Sequence, residues 1–265
     1  MNEQSAVVEQ LLLRRDADGV TWLTLNRPAA RNALSIGLMQ AMLDELDAIT
    51  TTFTAVSVAI GGAGPAFCAG HDLRELRSRP ERQAYQETFE LCSRLMTRIV
   101  RLAKPVIARV HGVATAAGCQ LVASCDLAVT AASARFATPG VNIGLFCSTP
   151  MVALSRAVSR KAAMEMLLTG ELIDAARARE LGLVNRVVAD AELDDAVATL
   201  ARQIAAKSPL TLAIGKTAFY RQAEMGLDEA YTYVSEVMTQ NMLARDAAEG
   251  IDAFLGKRTP TWTGE

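Results

Sequence analysis

Residues 66–73 read Ala-Phe-Cys-Ala-Gly-His-Asp-Leu, and residues 112–120 read Gly-Val-Ala-Thr-Ala-Ala-Gly-Cys-Gln. Each stretch is predicted to follow a buried strand and to lead into a helix, and each consists mostly of small residues. Backbone N–H groups at two such turns can converge on an anion or a polarised carbonyl, and a helix N-terminus adds a favourable dipole. The same small residues could instead only allow a helix to pack closely on a sheet, so the spacing alone leaves both interpretations open.

Strands and helices alternate on both sides of these two turns. Residues 20–25 alternate polar and apolar side chains like a half-buried strand, and Pro28 then breaks the pattern. Ser35 is placed to cap an amphipathic helix that continues to Ile49. The other predicted elements of this part are strands at 56–60, 105–110 and 127–130 and a long helix at 81–102. Alternation of this kind predicts an α/β core with right-handed crossovers.

The second half of the chain is predicted to be almost entirely helical. Gly170 and Gly182 interrupt the helical pattern, and residues 184–188 form one short strand. Residues 209–256 indicate three helical segments, with Gly226 and Gly250 as the breaks between them. We therefore divide the chain into a core over residues 1–200 and a C-terminal helical region over residues 201–265, which we expect to pack on neighbouring subunits.

The composition excludes several classes of protein. The chain has 265 residues, 51% of them hydrophobic, and 27 basic against 29 acidic residues give a formal net charge of −2. The apolar share is too high for intrinsic disorder, and no basic tract marks a nucleic-acid-binding surface. No apolar run reaches the ~18 residues that span a bilayer, so we expect no membrane insertion. The first residues resemble neither a signal peptide nor a transit peptide, which leads us to expect a cytoplasmic protein.

Histidine and cysteine are scarce enough to limit the possible chemistry. Two histidines are too few for a His-rich metal centre, and the five cysteines include no C-x-x-C pair. We expect reduced, mostly buried thiols, no metal site, and chemistry that does not depend on imidazole. His111, between a strand and a glycine, is interpreted as a structural turn residue, whereas a site role and a packing role both stay open for His71. Cys119 and Cys147 could be nucleophiles, although buried structural thiols are the more common outcome.

The chain resembles the crotonase family, also called the enoyl-CoA hydratases and isomerases, over nearly its whole length. The resemblance begins at the two turns, in Ala66-Phe-Cys-Ala-Gly-His-Asp-Leu73 and Ala117-Gly-Cys-Gln120. Further matches, in order, are Asn26-Arg-Pro, Asn32-Ala-Leu, Lys104-Pro-Val-Ile-Ala, His111-Gly, Cys125-Asp, Arg135-Phe-Ala, Met164-Glu-Met-Leu-Leu-Thr-Gly, Ala178-Arg-Glu-Leu-Gly-Leu-Val and Phe254-Leu-Gly-Lys-Arg. Within the family, residues 114–126 and 136–150 are most similar to the enoyl-CoA hydratase domain-containing protein 3-like members.

The resemblance implies a crotonase fold of repeated ββα units with a C-terminal helical trimerisation region. It also implies trimers that commonly pair into hexamers, and a CoA thioester as the ligand with no further cofactor. In this family two backbone N–H groups form an oxyanion hole for the thioester carbonyl, and motif by motif they fall on His71 and Ala117. The other positions implied to line the CoA and acyl pockets are Arg27, Ala66, Ala69, Gly70, Asp72, Leu73, Gly118, Phe146 and, from a neighbouring subunit, Phe254 and Lys257.

Two positions depart from the pattern of the family's hydratases, which use two glutamates as general acid and base on a water molecule. Their counterparts are Gln120 and Gly140, so neither position carries a carboxylate. General acid–base groups contribute typically ~10²–10⁴ each to the rate, and the loss of both therefore predicts weak hydratase activity with thioester binding intact. The stretch Phe146-Cys-Ser-Thr-Pro150 also replaces the family's glycine-rich segment.

Three functions stay open after these departures. The first is an acyl-CoA-handling protein of fatty-acid metabolism that performs the family's hydratase (lyase) or isomerase reaction weakly or in altered form. The second is a different thioester reaction, hydrolysis or decarboxylation, using Gln120, Cys147, Ser148 or Thr149 beside the oxyanion hole. The third is a non-catalytic acyl-CoA-binding or regulatory protein. If the pocket has kept its shape, glutamates placed at both departed positions should raise hydratase activity.

Overall fold

Two β-sheets organise the computed structural model, which describes residues 10–52 and 55–265. The strands are β1 Leu12–Ala17, β2 Val20–Leu25, β3 Ser57–Gly62, β4 Val106–Val110, β5 Val113–Thr115, β6 Leu127–Ala131, β7 Arg135–Ala137, β8 Ile173–Asp174 and β9 Arg186–Val188. The main sheet has the order β1-β2-β3-β4-β6-β9, and the smaller sheet has the order β5-β7-β8. All neighbours in the main sheet are parallel except β1 and β2, so the predicted α/β core is confirmed.

Helices follow or connect most of the strands. They are α1 Ile36–Thr50, α2 Leu73–Ser78, α3 Arg82–Arg101, α4 Ala117–Ser124, α5 Ser148–Ala157, α6 Arg160–Thr169, α7 Ala175–Glu180, α8 Leu193–Ala205, α9 Pro209–Gln222, α10 Leu227–Met242 and α11 Arg245–Leu255. Short 3₁₀ turns lie at Pro28–Ala30, Pro139–Ile143 and Asp190–Glu192. In the part of the chain that the structure describes, no helix is both long enough and apolar enough to cross a membrane.

The ββα repeat is visible in how consecutive strands divide between the two sheets. In β4-β5-α4 and again in β6-β7-α5, the first strand joins the main sheet and the second joins the smaller one before the helix begins. Isolated parallel bridges, Cys68 to Ala114 and Leu34 to His71, extend the smaller sheet beyond β5. This extension places the turn of residues 66–72 at the edge of the smaller sheet.

Both faces of the main sheet are covered. On one face, α1 packs the fully buried Leu38, Met42 and Ile49 into the larger core cluster, and the side chain of Ser35 accepts a hydrogen bond from the amide of Leu38 as predicted. On the other face, α8 buries Val197 and its neighbours against strand residues of β2, β3, β4 and β6. Apolar positions at helical spacing therefore account for the packing of both helices.

The C-terminal region begins later than the sequence suggests. Helix α8 crosses the predicted division between residues 200 and 201, and Leu200 and Ala201 both belong to the core beneath it. The helices that follow, α9 to α11, pack mainly on one another. Because the hydrophobic contacts of α8 are with the main sheet, the boundary lies after Ala205 instead.

One predicted helix break is wrong. Gly226 does cap the N-terminus of α10, but Gly250 lies inside α11, and the chain breaks at Leu243 and Ala244 instead. A Cβ at position 250 would stand 3.2 Å from the ring of Trp262, so this glycine allows the C-terminal tail to pack closely on α11. A glycine that serves close packing has the same sequence signal as one that ends a helix.

Candidate functional site

The first turn, residues 66–72, is held between β5 and the segment that contains Leu34. On the β5 side, the amide of Cys68 donates to the carbonyl of Val113 with an N–O distance of 3.1 Å. On the other side, the amide of Leu34 donates to the carbonyl of Gly70 at 2.8 Å. The turn is therefore fixed by strand-like hydrogen bonds on both edges.

The amide of His71 donates to neither of these edges. Gly70, directly before it, has φ +98°, a conformation that glycine adopts without the steric cost that other residues meet. In the parallel bridge between Leu34 and His71 the amides of Leu34 and Asp72 make the hydrogen bonds, so the N–H of His71 does not take part in this ladder. Among residues 10–52 and 55–265, no hydrogen-bond acceptor is found for this amide.

The second turn, at the start of α4, also has a residue with positive φ directly before a free amide. Ala116 has φ +50° and ψ −118°, and its own amide donates to the carbonyl of Ala137 at 2.9 Å. An alanine held in this region costs on the order of 1–3 kcal/mol, and such strain is concentrated at functional sites. Ala117 is the first residue of the helix, so its amide has no carbonyl partner within the helix, and the described residues supply no other acceptor.

The two turns lie directly against each other. A Cβ built on Gly70 would stand 3.0 Å from the Cβ of Ala116 and 3.5 Å from the amide nitrogen of Ala117. A Cβ built on Gly118 would stand only 2.1 Å from the carbonyl oxygen of Cys68. Glycine at both positions thus lets the backbones approach. The two amides without acceptors therefore belong to turns that are in contact at the N-terminus of a helix. This arrangement suits an oxygen on which negative charge develops.

Gln120 lies one helical turn further along α4 and is buried. Its side-chain oxygen is 3.8 Å from the thiol of Cys92, which donates to it. A carboxamide can hold a water molecule or a ligand by hydrogen bonds, but it does not exchange a proton near neutral pH. The side chain at position 120 can therefore form hydrogen bonds with a ligand but cannot act as a general acid or base.

Position 140 is closed to any side chain. A Cβ built on Gly140 would stand 2.7 Å from the carbonyl oxygen of Leu145 and 2.9 Å from the sulfur of Cys147. The amide of Leu145 also donates to the carbonyl of Gly140 at 2.9 Å, which holds the loop in place. The sequence has no carboxylate at position 140, and the structure shows that the loop fills the space that a side chain would need.

All five cysteines are free and buried, as expected. Burial raises the pKa of Cys68, Cys92 and Cys119 to about 12. Burial also raises the pKa of Cys147, which caps α5, although a hydrogen bond with the backbone of Gly140 partly opposes the shift. These thiols are protonated at neutral pH, which argues against a thiolate nucleophile.

Arg27 and Asp72, both implied to contact CoA, form an ion pair with each other. The guanidinium lies 2.9 Å from the carboxylate and also donates to the carbonyl of Ala33 at 2.6 Å. Burial alone would raise the pKa of Asp72, but the bonds from Arg27 and from the amides of Glu75 and Arg74 hold it below its usual value. The charge of Arg27 is thus already paired with Asp72, and a contact with a CoA phosphate would use the N–H groups of the guanidinium that these two bonds leave free.

The remaining implied ligand contacts differ in their exposure. Ala66 is buried, and its carbonyl accepts from the side chain of Asn32 at 2.7 Å, so it supports the turn from within. Ala69 is half-buried, and Leu73 and Phe146 are exposed. Phe254, 83% exposed, and Lys257 lie at the end of α11, which packs on α9 and α10. Their roles toward a ligand stay predictions.

One residue that supports the site, Asn32, was assigned no role from the sequence. The side chain of Asn32 is fully buried and accepts from the amide of Arg27 while donating to the carbonyls of Ala63 and Ala66, so it fixes the base of the first turn. The motif around Asn32 was visible in the sequence, but its partners were not. His111 is a structural turn residue as predicted, with its ring bonded to the carbonyl of Gly64 at 2.8 Å.

Comparison with known proteins agrees with the fold. Residues 15–265 match the family model described as enoyl-CoA hydratase/isomerase. The chain is 46% identical to human "enoyl-CoA hydratase domain-containing protein 3, mitochondrial" over 95% of its own length and 83% of that protein. It is 38% identical to Escherichia coli 2,3-dehydroadipyl-CoA hydratase over 92% of its length and 95% of that protein. A crystal structure of an enoyl-CoA hydratase from Mycobacterium smegmatis superposes with a TM-score of 0.94 at 52% identity, covering 96% of this chain and 99% of that one.

Proposed function

Because the chain belongs to the enoyl-CoA hydratase/isomerase (crotonase) family, we propose that it binds acyl- and enoyl-CoA thioesters in fatty-acid metabolism. The observation that carries this proposal is the contact between two turns that present the amides of His71 and Ala117 without acceptors among the described residues. The thioester carbonyl oxygen would accept from both amides. A cytoplasmic location and the absence of any cofactor besides the CoA thioester stay predictions.

The chemistry available at this site is polarisation of the carbonyl. Donors already in position stabilise the enolate-like charge of a reacting thioester, and the loss of one such donor costs on the order of 10²–10³ in rate. Hydration of a double bond also requires a group that activates water and a group that delivers a proton. Neither Gln120 nor Gly140 can do this, so we propose weak or altered hydratase chemistry on an intact binding site.

Two measurements test the proposal. Isothermal titration with a dethia analogue of an acyl-CoA, in which CH₂ replaces the thioester sulfur so that the carbonyl is kept but cannot be hydrolysed, is expected to show saturable binding. No binding would disprove the proposal. A crotonyl-CoA hydration assay is expected to show turnover reduced by on the order of 10²-fold or more relative to a hydratase with both glutamates. Turnover equal to that of such a hydratase would contradict the role given to the missing carboxylates.

We expect the double variant Gln120→Glu, Gly140→Glu not to gain hydratase activity, in contrast to the gain that the sequence alone suggests. The side chain at 140 would collide with the carbonyl of Leu145 and the sulfur of Cys147, so the loop must move before a carboxylate can enter. Crotonyl-CoA hydration is the readout, and Gln120→Glu alone is the matched control because it is nearly isosteric. A rise of a hundredfold or more in the hydration rate of the double variant would show that the loop after Gly140 moves aside at little energetic cost.

A decarboxylation is the second candidate, favoured by the position of Cys147 over Gly140. Loss of CO₂ from a 2-carboxyacyl-CoA leaves its electron pair on the α-carbon and the thioester oxygen as an enolate, so no base is needed. The protonated thiol could then donate its proton to the α-carbon and regain one from water. Release of CO₂ from malonyl-CoA that is lost in Cys147→Ala would support this candidate, whereas release of free CoA without CO₂ would indicate hydrolysis instead.

We further propose a homotrimer, alone or paired into a hexamer, formed through the C-terminal helices. Large apolar side chains are exposed there, namely Phe219, Leu227, Tyr231, Met238, Met242, Leu243, Phe254 and Leu255. Large exposed apolar side chains in such number are typical of a protein interface. The neighbouring subunit would also bring Phe254 and Lys257 to the CoA site.

The variant Leu243→Glu, Phe254→Glu is expected to dissociate this assembly, because two carboxylates would have to be buried in an apolar interface. Light scattering after size-exclusion chromatography should give three or six times the protomer mass for the unmodified chain and a smaller mass for the variant. Gln203→Glu on α8 adds the same kind of side chain at an exposed polar position and should leave the mass unchanged. A monomeric unmodified chain would contradict the proposal.

A further inference from the structure

The side chain of Gln120 is buried, but its amide nitrogen remains open to a ligand. Only 4% of the residue is exposed, and its Oε1 accepts from the thiol of Cys92 on α3 at 3.8 Å. In the described parts of the chain this is the one hydrogen bond of the carboxamide, so its Nε2 has no acceptor there. The unpartnered side-chain atoms that solvent cannot reach belong to other residues. The Nε2 atom of Gln120 therefore borders an accessible space.

Helix geometry directs this nitrogen toward the two free amides. Gln120 lies one helical turn after Ala117, the first residue of α4, and helical side chains point toward the N-terminus of their helix. Side chains one turn apart are neighbours, with about 5–6 Å between their Cβ atoms. The Nε2 atom thus lies on the side of α4 that leads to the free amide of Ala117.

Helix α3 borders the same region from the other side. The edge of Phe89 packs on the ring of His71, with the ring centres 5.5 Å apart. Cys92, one turn further along α3, contacts Gln120. The first turn and the side chain at position 120 therefore meet the same short stretch of α3. An oxygen bound by the two free amides would have the Nε2 atom in its surroundings.

Cys92 determines which end of the carboxamide faces the accessible space. Burial raises the pKa of Cys92 to about 12, so at neutral pH the thiol keeps the hydrogen that it donates to Oε1. In the reversed orientation the NH₂ group would lie against sulfur, which is a weak acceptor, and the carbonyl would face the space. The bond from Cys92 therefore favours the orientation in which Gln120 offers donors to a ligand.

We propose that Gln120, oriented by Cys92, selects CoA thioesters that carry a carbonyl or carboxylate oxygen on carbon 3 of the acyl group. This inference rests on the proposed function and deepens it by naming the substrate class. The thioester oxygen would accept from the amides of His71 and Ala117, and the oxygen on carbon 3 would accept from Nε2. A saturated or enoyl chain has no acceptor at that carbon and leaves the buried donor unpaired, which weakens its binding.

Three CoA analogues test this inference, each with NH in place of the thioester sulfur so that the carbonyl is kept and resists hydrolysis. The acyl groups are butyryl, with no oxygen on carbon 3, acetoacetyl, with a carbonyl there, and malonyl, with a carboxylate there. Isothermal titration of the unmodified protein is expected to give at least about fivefold tighter binding of the acetoacetyl or the malonyl analogue than of the butyryl analogue. The analogue that is preferred identifies the acceptor as a carbonyl or a carboxylate.

Gln120→Leu removes the donor at similar volume and is expected to bring the ratio of the dissociation constants to within about twofold of one. Cys92→Ala should lower the preference by about twofold to threefold, and Cys92→Ser, which keeps a donor for Oε1, should retain it. Cys125→Ala is the matched control, because that buried thiol donates to the backbone of Leu121 instead. All constants for one variant come from one preparation, so an unfolded fraction lowers the number of sites and not the ratio.

Equal affinity of the unmodified protein for all three analogues would overturn the inference, as would a preference that persists in Gln120→Leu. A preference that is unchanged in Cys92→Ala would overturn the part assigned to Cys92. Failure of the unmodified protein to bind any of the analogues would instead disprove the proposed function, so the two failures are distinguishable.

Discussion

Gly118→Ala is expected to weaken binding of CoA thioesters by on the order of 10²-fold and to lower the free energy of unfolding by about 3 kcal/mol. The added Cβ would stand 2.1 Å from the carbonyl oxygen of Cys68, which is backbone and cannot move aside cheaply. Helix α4 must therefore move away from the first turn to relieve this clash. A shift of about 1 Å at such a site can cost on the order of 10² in function, because the amides of His71 and Ala117 would no longer meet at one oxygen.

The sign of this effect distinguishes it from helix propensity. Alanine is intrinsically a better helix former than glycine by about 1 kcal/mol, so the same change at an open position should stabilise the protein. Gly215 in α9 provides that control, because a Cβ there would meet nothing within 4 Å. Urea denaturation and titration with the dethia analogue, which keeps the carbonyl oxygen, should be performed on both variants. Unchanged stability and binding in Gly118→Ala would mean that the two turns are not in the close contact described here.

Lys216→Met is expected to destabilise the protein by about 3 kcal/mol, because it leaves the part-buried carboxylate of Asp126 without its cation. The ammonium group of Lys216 lies 2.7 Å from the carboxylate of Asp126 and donates to the carbonyls of Ile99 and Lys104, each at 3.0 Å. Tyr220 donates to the other oxygen of Asp126 at 2.9 Å. These bonds connect α9 to the C-terminal end of α3 and to the segment before β4. Their loss should therefore weaken the packing of the C-terminal region on the core.

Two further variants separate the ion pair from a general effect of removing a lysine. Lys207→Met, at an exposed position, should change the free energy of unfolding by less than about 0.5 kcal/mol. Lys216→Met combined with Asp126→Asn should cost less than the sum of the two single changes, because the second change removes the unpaired charge. Denaturation at one fixed protomer concentration provides the comparison. Simple additivity would show that the two side chains do not interact.

The sequence predicted the elements of the fold well wherever a local pattern was strong. Alternation over β2, the cap and apolar stripe of α1, and the breaks at Gly170 and Gly182 all correspond to the structure. Short strands such as β7 were not predicted, since three residues carry too little periodicity. Gly250 was misassigned for the reason already given, that a glycine for close packing and a glycine for a helix end look alike.

At the candidate site, the sequence by itself determined which residues occur at the two turns and that positions 120 and 140 carry no carboxylate. Only the tertiary structure decided that the two turns touch, that Arg27 is already paired with Asp72, 45 residues away, and that Lys216 is bound to Asp126, 90 residues away. It also decided that the space at Gly140 is filled by the loop after it. Periodicity and turn chemistry report on neighbours a few residues apart, whereas these contacts depend on how separate elements pack. The pattern of a sequence can therefore show that a group is missing, but only packing shows what occupies its place.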